Sequence, residues 1–336
     1  MVDSVARTVG FQAGERNVFL HILTACNLSC AHCYINPEQH GSNTLDKETI
    51  AHWLDLFADA EKKSNLILLG GEPTLHPDLA EIISIAKAKG FSVTVDSNGY
   101  LHHDLLERTS PEELDYLSFS LDGPDAAVND PVRGEGVYDV CVANIRRAIA
   151  KGFRVSLIYT VSGRNIEALD RMPALLDSLG VERFFIQVIG LRGESAKAGK
   201  GDLQVDRRRW FEVVPAVAAD AAARGIHVTW PKVFLGDGEV FQCAGNVAEN
   251  YFVFPNGRVY QCPLCEDYPL HSYCIKDGQL QAREGLTEKN FFSLDIAEGC
   301  VMNKLLQPEN ISYRDGVVEN KISCCMLKQE MVGVTR

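Results

Sequence analysis

Cys26-Asn27-Leu28-Ser29-Cys30-Ala31-His32-Cys33-Tyr34 follows closely on an apolar run at 18–23 that reads as a first β-strand. In a fold of alternating strands and helices, loops at the C-terminal ends of strands host the active site. The spacing C-x3-C-x2-C gathers three thiolates in one short loop, able to hold three irons of a [4Fe–4S] cube and to leave the fourth iron open for catalysis. A zinc site completed by His32, or free core cysteines, are the plainer readings of the same residues.

Outward from this loop, further strand candidates lie at 66–69, 92–96, 116–121, 154–160 and 184–188. Between them, apolar residues recur at three- and four-residue spacing over 46–60, 77–88, 137–150 and 166–179, with a weaker helix start at 111–114. In the first of these segments Ile50, Trp53, Leu54 and Phe57 share one face. Six βα units of roughly thirty residues call for a parallel sheet with helices outside, open or curled into a partial barrel. A Gly, Ser, Lys and Glu-rich loop is expected at 193–202. A helix at 207–224 kinked at Pro215 and a short strand at 227–230 follow. Beyond Phe241 the alternation fades and cysteines become prominent, which suits a tail organised by metal rather than by its own core.

The chain has 336 residues, 46% hydrophobic and 23% charged, ordinary for a globular protein and long enough for a sizeable core. Lys+Arg 33 against Asp+Glu 45 gives a net charge of −12, which argues against a dedicated nucleic-acid or anionic-membrane binder. The first seventeen residues lack the basic-then-apolar pattern of a secretory signal, and no apolar run is long enough to span a bilayer. A cytoplasmic location is the expectation. In a reducing compartment an odd set of eleven cysteines, clustered at 26–33 and 243–325, points to metal rather than disulfides. Cys141, inside a helical pattern, reads as a small buried apolar residue. His21 and His76 read as core or surface residues.

Further segments fall in register with the cysteine loop: Gly70-Gly71-Glu72-Pro73-Thr74 after the second strand, Asp96-Ser97-Asn98-Gly99 after the third, and Ser118-Phe119-Ser120-Leu121-Asp122-Gly123-Pro124 with Pro131-Val132-Arg133-Gly134 after the fourth. Together these resemble the radical S-adenosylmethionine (radical SAM) enzymes, over roughly residues 17–230. The resemblance implies a (βα)6 partial TIM barrel. It implies that Cys26, Cys30 and Cys33 hold a [4Fe–4S] cluster whose open iron is chelated by the methionine amine and carboxylate. One electron then cleaves S-adenosylmethionine to methionine and a 5′-deoxyadenosyl radical that abstracts a substrate hydrogen atom.

By the same resemblance Gly70, Gly71 and Glu72 lie at the methionine amino group, and Ser97 and Asn98 at the methionine and ribose. Ser120 and Arg133 lie near the ribose and the methionine carboxylate, for which a guanidinium fork is well suited. Thr160, Gln187 and Val188 border the adenine, and Tyr34 helps wall that pocket.

In the tail, Cys243 is followed by thirteen residues, Gly257, four residues and Cys262. This C-x13-G-x4-C stretch resembles the opening of SPASM and twitch auxiliary-cluster domains, here expected over 241–330. Asn256-Gly257 between apolar runs is a hairpin signal that brings the two thiolates together. The later C-x2-C-x5-C-x3-C run of a full SPASM domain is missing, so one auxiliary [4Fe–4S] cluster is expected. Its ligands are expected to be Cys243, Cys262, Cys265 and Cys324, with Cys274, Cys300 and Cys325 as alternatives for the fourth. A zinc site of four tail cysteines is the plainer reading. A spare thiol, Cys265 or Cys274, could return a hydrogen atom to a product radical.

Auxiliary-cluster members of the family often modify ribosomally made peptides by cross-linking, oxidation or epimerisation, and others act on small molecules in cofactor or natural-product biosynthesis. About seventeen residues precede the first strand, so a separate peptide-recognition protein is one expected partner and a flavodoxin- or ferredoxin-type reductant another. A non-catalytic iron–sulfur electron carrier is the reading from another class; it would not need Gly70, Gly71, Glu72, Asn98 and Arg133 in register.

Overall fold

A computed structural model describes residues 7–9, 14–197 and 203–333. The expected loop at 193–202 therefore lies partly outside the described residues. The strands are β1 (Arg7–Val9), β2 (Glu15–Leu23), β3 (Lys63–Gly70), β4 (Ser92–Ser97), β5 (Tyr116–Ser120), β6 (Val155–Val161), β7 (Arg183–Val188) and β8 (His227–Pro231). In the C-terminal region come β9 (Glu249–Val253), β10 (Arg258–Tyr260), β11 (Tyr273–Lys276), β12 (Gln279–Ala282), a small β13 (Tyr313–Arg314) and β14 (Val317–Val318) hairpin, and β15 (Lys328–Met331).

Strands β2 to β8 pair in sequence order, every pair parallel. This is the open, partial TIM barrel that the six βα units called for, with β8 as a seventh parallel strand. Alternation along the strands explains the layering. Leu66, Leu68, Val93, Val95, Leu117, Phe119, Leu157 and Phe184 are all but inaccessible, packed with helix residues such as Ile50, Leu54, Ile83, Ala86, Ile145 and Leu176. The opposite face carries half-buried Asn65, Ile67, Leu69, Thr94, Asp96, Ser120, Ile158 and Thr160, and so lines an accessible interior.

Helices cover the outer face as expected at Lys47–Asp55, Leu79–Ala88, Val137–Ala150 and Arg207–Ala223. Asp46 starts the first by accepting the Thr49 amide at 2.6 Å. Three expectations need correction. The 166–179 segment is not one helix: a tight 3-10 stretch, Ile166–Arg171, precedes the helix Met172–Leu179, which has Pro173 in its first turn. Residues 111–113 form a turn rather than a helix start, and the short helix nearby is Leu105–Arg108. A helix not foreseen, Ala126–Arg133, is capped by Asp125, which accepts the Val128 amide at 3.1 Å.

The C-terminal region does not stand apart from the sheet. β9 lies parallel to β2 and opens an antiparallel meander β9-β10-β11-β12, while on the other side β15 pairs antiparallel with β8 and β1 forms the edge beyond it. Among the described residues no helix is long and apolar enough to cross a membrane.

Candidate active site

The cysteine loop leaves β2 and is stitched to the end of β3. The Gly71 amide donates to Leu23 O at 3.1 Å and the Glu72 amide to Ala25 O at 2.9 Å. The backbones are so close that a Cβ on Gly70 would lie 2.1 Å from Leu23 O, and one on Gly71 2.1 Å from Ala25 O. Paired glycines are therefore a packing requirement of the loop itself.

Glu72 is fully buried and its carboxylate is a fastener. Oε1 accepts from Thr74 N (3.0 Å), Thr74 Oγ1 (2.6 Å) and Ser97 Oγ (2.9 Å), and Oε2 accepts from Asn98 N (2.7 Å). Burial pushes its pKa up against these four donors. Asn98 then reaches back to the loop, donating from Nδ2 to Asn27 Oδ1 at 2.8 Å, with Cys26 Sγ 3.8 Å away.

On the other flank the Ala31 amide donates to Val132 O at 2.8 Å, and Cys30 Sγ lies 3.8 Å from Arg133 O. Asp122, fully buried, organises this side. Its Oδ2 is 2.7 Å from both His32 Nε2 and Arg133 Nε, and its Oδ1 accepts the Thr160 amide at 2.7 Å. Burial alone would raise its pKa; Arg133 and His32 override that and hold it at about 2. Arg133 thus serves Asp122 in this structure, and His32 Nδ1 is buried without a partner. His32 and Asp122 were not among the expected site residues, although Asp-Gly-Pro at a strand end was a visible signal. The three thiols lie near one another. Burial pushes Cys30 up to about 11, with Cys33 and Cys26 adding to the shift, and raises Cys26 and Cys33 likewise.

The remaining expected contacts line the barrel mouth. Ser120 is half-buried and aligned with Ile158, Thr160 is aligned with exposed Gln187, and Val188 is half-buried. One residue layer deeper, Asp96, Ser118 and Ser156 stand side by side across β4, β5 and β6. Burial raises the Asp96 carboxyl to about 7, and Ser156 Oγ has no partner. Cys141 is fully buried beneath Gly99, as its helical context suggested.

In the tail, Cys243, Cys262, Cys265, Cys300, Cys324 and Cys325 converge. Burial pushes Cys243 up to about 12, with Cys324, Cys262 and Cys300 as its neighbours; Cys262 neighbours Cys265 and Cys300, and Cys325 neighbours Cys324, Cys262 and Cys300. Cys265 Sγ is 3.7 Å from Met302 Sδ. Cys274 stays outside, on β11, its Sγ 3.8 Å from its neighbour's carbonyl, Ile275 O. Among the described residues no three His, Cys, Asp or Glu side chains close around a single metal ion. A tetrahedral zinc ion holds each thiolate sulfur about 2.3 Å away, whereas a cube holds each on a separate corner, so its ligands stand further apart. Both sets offer free thiols as ligands, the donor type that holds [4Fe–4S] clusters.

A buried band joins the two cysteine sites. Phe254 stacks between His21 and His40, centroids 4.0 and 3.9 Å apart. His21 Nδ1 lies 3.0 Å from Val253 O and so carries the proton, which leaves Nε2 to accept from Tyr34 OH at 2.7 Å. Tyr34 is therefore committed to His21, and the Arg192 guanidinium sits 5.1 Å over its ring. Arg192 Nη1 donates to Pro263 O at 2.6 Å and also to Glu266 Oε2, between and beside Cys262 and Cys265. From the same loop the Glu194 amide donates to Cys33 O at 2.8 Å.

A partial barrel with three clustered thiols at its mouth and a second thiol set beside them defines an iron–sulfur enzyme. The Radical SAM superfamily profile matches residues 20–176. The chain is 31% identical over 276 residues to the mycofactocin maturase MftC of Mycobacterium ulcerans, covering 76% of this chain and 70% of that protein. It is 29% identical over 331 residues to the AdoMet-dependent heme synthase of Methanosarcina barkeri, covering 92% and 90%. Against the Fe-coproporphyrin III synthase of the same organism the match spans only 46% of that protein's length. Among solved structures, anSMEcpe with bound AdoMet superposes with a TM-score of 0.62 at 13% identity over 93% of each chain. Streptococcus suis SuiB bound to its precursor peptide SuiA gives 0.60 at 14% identity, over 75% of this chain and 60% of that one. The chain belongs to the radical SAM superfamily, and its cofactors are a [4Fe–4S] cluster and S-adenosylmethionine.

Proposed function

We propose that this chain is a radical SAM enzyme that modifies a ribosomally made peptide by cross-linking, oxidation or epimerisation, using a second, auxiliary cluster. The observation that carries the reading is the convergence of six tail cysteines beside the front loop, joined to it through Arg192 and Tyr34. The likeness to a maturase supports the peptide substrate.

Cys26, Cys30 and Cys33 hold the front cluster. When bound, that cluster supplies the electron that cleaves S-adenosylmethionine and so starts hydrogen abstraction. Glu72 fixes the ends of β3 and β4, leaving the Gly70–Glu72 backbone at the methionine end. Asn98 and Ser120 carry polar groups toward the ribose, whereas the buried Ser97 hydroxyl, expected there too, is given to Glu72 instead. Arg133, steadied by Asp122, supplies the cation for the carboxylate. The half-buried inner face of β3 to β6 receives the substrate and excludes bulk water. Cys243, Cys262, Cys265 and Cys324 hold the auxiliary cluster, with Cys300 and Cys325 in reach. The working division is a barrel over 17–230 and an auxiliary domain over 241–330, in a reducing, cytoplasmic compartment with a flavodoxin- or ferredoxin-type donor and a separate peptide-recognition protein.

A second reading, a small-molecule reaction on a porphyrin, is favoured by the nearly end-to-end match to the heme synthase. Anaerobic reconstitution, iron counting and a 5′-deoxyadenosine assay decide between them. Stimulation by short peptides encoded beside the gene supports the first reading. Stimulation by iron porphyrin carboxylates alone supports the second, and iron uptake with no 5′-deoxyadenosine under any condition overturns both.

A further inference from the structure

Phe234 joins the tail's thiol core to the surface. Its half-buried ring packs against the apolar core built by Cys265, Cys300, Met302 and Ile322, on which Cys243, Cys262 and Cys325 also pack. Its backbone pairs with Ile322, and two flanking amides tie the segments together, Ser323 N to Val233 O and Leu235 N to Lys321 O, both at 2.9 Å. Cys324 and Cys325 follow directly. The same ring meets Phe211 of the helix Arg207–Ala223, centroids 5.8 Å apart, and Phe211 is 45% exposed. The Arg207 guanidinium lies over both rings, 4.9 Å from Phe211 and 5.6 Å from Phe234. Arg207, Arg208, Phe211 and Glu212 line an open hollow of about 390 Å³ at this point.

The charge here runs against the rest of the chain, whose net charge is −12. Arg207 and Arg208 are exposed, and so is Lys321 on the segment paired with Phe234. Glu212 is taken up by Arg209 at 3.1 Å and stands 3.8 Å from Arg208, while Arg207 forms no ion pair among the described residues. Cations in a first helical turn oppose the helix dipole, so helix stability does not account for them. We propose that an acidic one-electron carrier of the flavodoxin class docks on this hollow and reduces the auxiliary cluster through it; this rests on the auxiliary-cluster reading above. A small aromatic pair rimmed by cations suits a transient redox encounter, which buries little area and relies on steering. Most of this acidic surface repels such a carrier, and the field turns it toward the arginines. In the transfer the anionic flavin hydroquinone loses one electron to become the neutral semiquinone, and the cluster gains that electron.

The test uses a purified bacterial flavodoxin and the full chain reconstituted with iron and sulfide. Calorimetry reads binding of the oxidised flavodoxin. Anaerobic stopped-flow reads semiquinone formation from the hydroquinone, in a chain with Cys26, Cys30 and Cys33 each changed to Ala so that the auxiliary cluster is the acceptor. Binding should weaken about tenfold between about 20 and about 200 mM salt. Arg207→Glu and Arg208→Glu should each weaken it about tenfold at low salt and slow semiquinone formation in proportion. Lys276→Glu makes the same charge change on β11, near the other end of the strand order, and should leave both unchanged. Unaltered binding in both arginine variants, an equal loss in Lys276→Glu, or no binding by the unmutated chain at low salt overturns the proposal. Loss of peptide-stimulated 5′-deoxyadenosine with flavodoxin binding intact assigns the hollow to the peptide, and a dimer abolished by the arginine variants assigns it to a second copy; either result overturns the proposal. Flavodoxin binding without tail iron in the unmutated chain would instead overturn the auxiliary-cluster reading and, with it, the electron's destination.

Discussion

The backbone amide of Asn98 donates to Glu72 Oε2 at 2.7 Å, so the ends of two adjacent parallel strands are locked to one buried carboxylate. Since Asn98 also holds Asn27, and the Glu72 amide holds Ala25, the cysteine loop is clamped from its first residues. The geometry of the three thiols is thus inherited from the strand ends, not from the loop's own propensity.

Gly71→Ala should break that clamp, because the new Cβ has backbone oxygen, which cannot swing aside, at 2.1 Å. Overpacking of this kind costs about 1–3 kcal/mol or more. Iron analysis should show loss of front-loop iron with tail iron retained, and 5′-deoxyadenosine formation should fall with it. Full iron retention would mean that the loop adapts.

Asp122→Asn should destabilise the apoprotein by about 3–5 kcal/mol, since it strips the buried Arg133 guanidinium of its counter-ion. The pH dependence has a definite sign. Asp122 titrates near 2 in the fold against 3.8 for an unperturbed aspartate, so its stabilisation is complete above about pH 4 and is lost as pH falls toward 2. Urea denaturation should therefore show a constant deficit from pH 5 to 7 and a shrinking one below about pH 4.

Asp96→Asn should do the reverse. Burial lifts the Asp96 carboxyl from 3.8 to about 7, so the folded protein holds a proton that the unfolded chain has already released. Stability contributed by this site falls as pH rises through that window. The substitution should raise apoprotein stability at pH 7 and have little effect at pH 4, read by urea midpoint. Equal effects at both values would show that Asp96 is not held neutral.

Much of this was legible in the chain. Strands two to seven sit within a few residues of the apolar runs that announced them, because alternation is a local signal. The front loop, Glu72 and Asn98 stood out through the family resemblance, as motif residues after strand ends, but the fastening role of the Glu72 carboxylate was not legible. What stayed hidden depends on contacts across great sequence distance: His32 against Asp122, Phe254 between His21 and His40, and β9 alongside β2. The helix Ala126–Arg133 was masked by Pro131, which reads as a breaker although the Asp125 cap announces the start. Cysteine spacing named Cys243 and Cys262 but could not rank the later cysteines, since their grouping is made by the fold.

That grouping gives the sharpest separation among the tail cysteines. Cys300 is almost fully buried, its amide donates to Ile322 O at 3.0 Å, and it neighbours Cys243, Cys262, Cys324 and Cys325. Cys274 is half-buried on β11, aligned with Arg258 and away from those thiols. Cys300→Ser should therefore lower or perturb the auxiliary-cluster signal, whereas Cys274→Ser should leave iron content and EPR spectrum unchanged. Hydrogen return by a free thiol makes a second demand on the same pair of variants: a Cys274 donor would show as intact iron with altered product, because Cys274 alone of the two stands clear of the cluster group. Loss of tail iron in Cys274→Ser would contradict the arrangement, since it would require β11 to leave its pairing with β10 and carry Cys274 into the group.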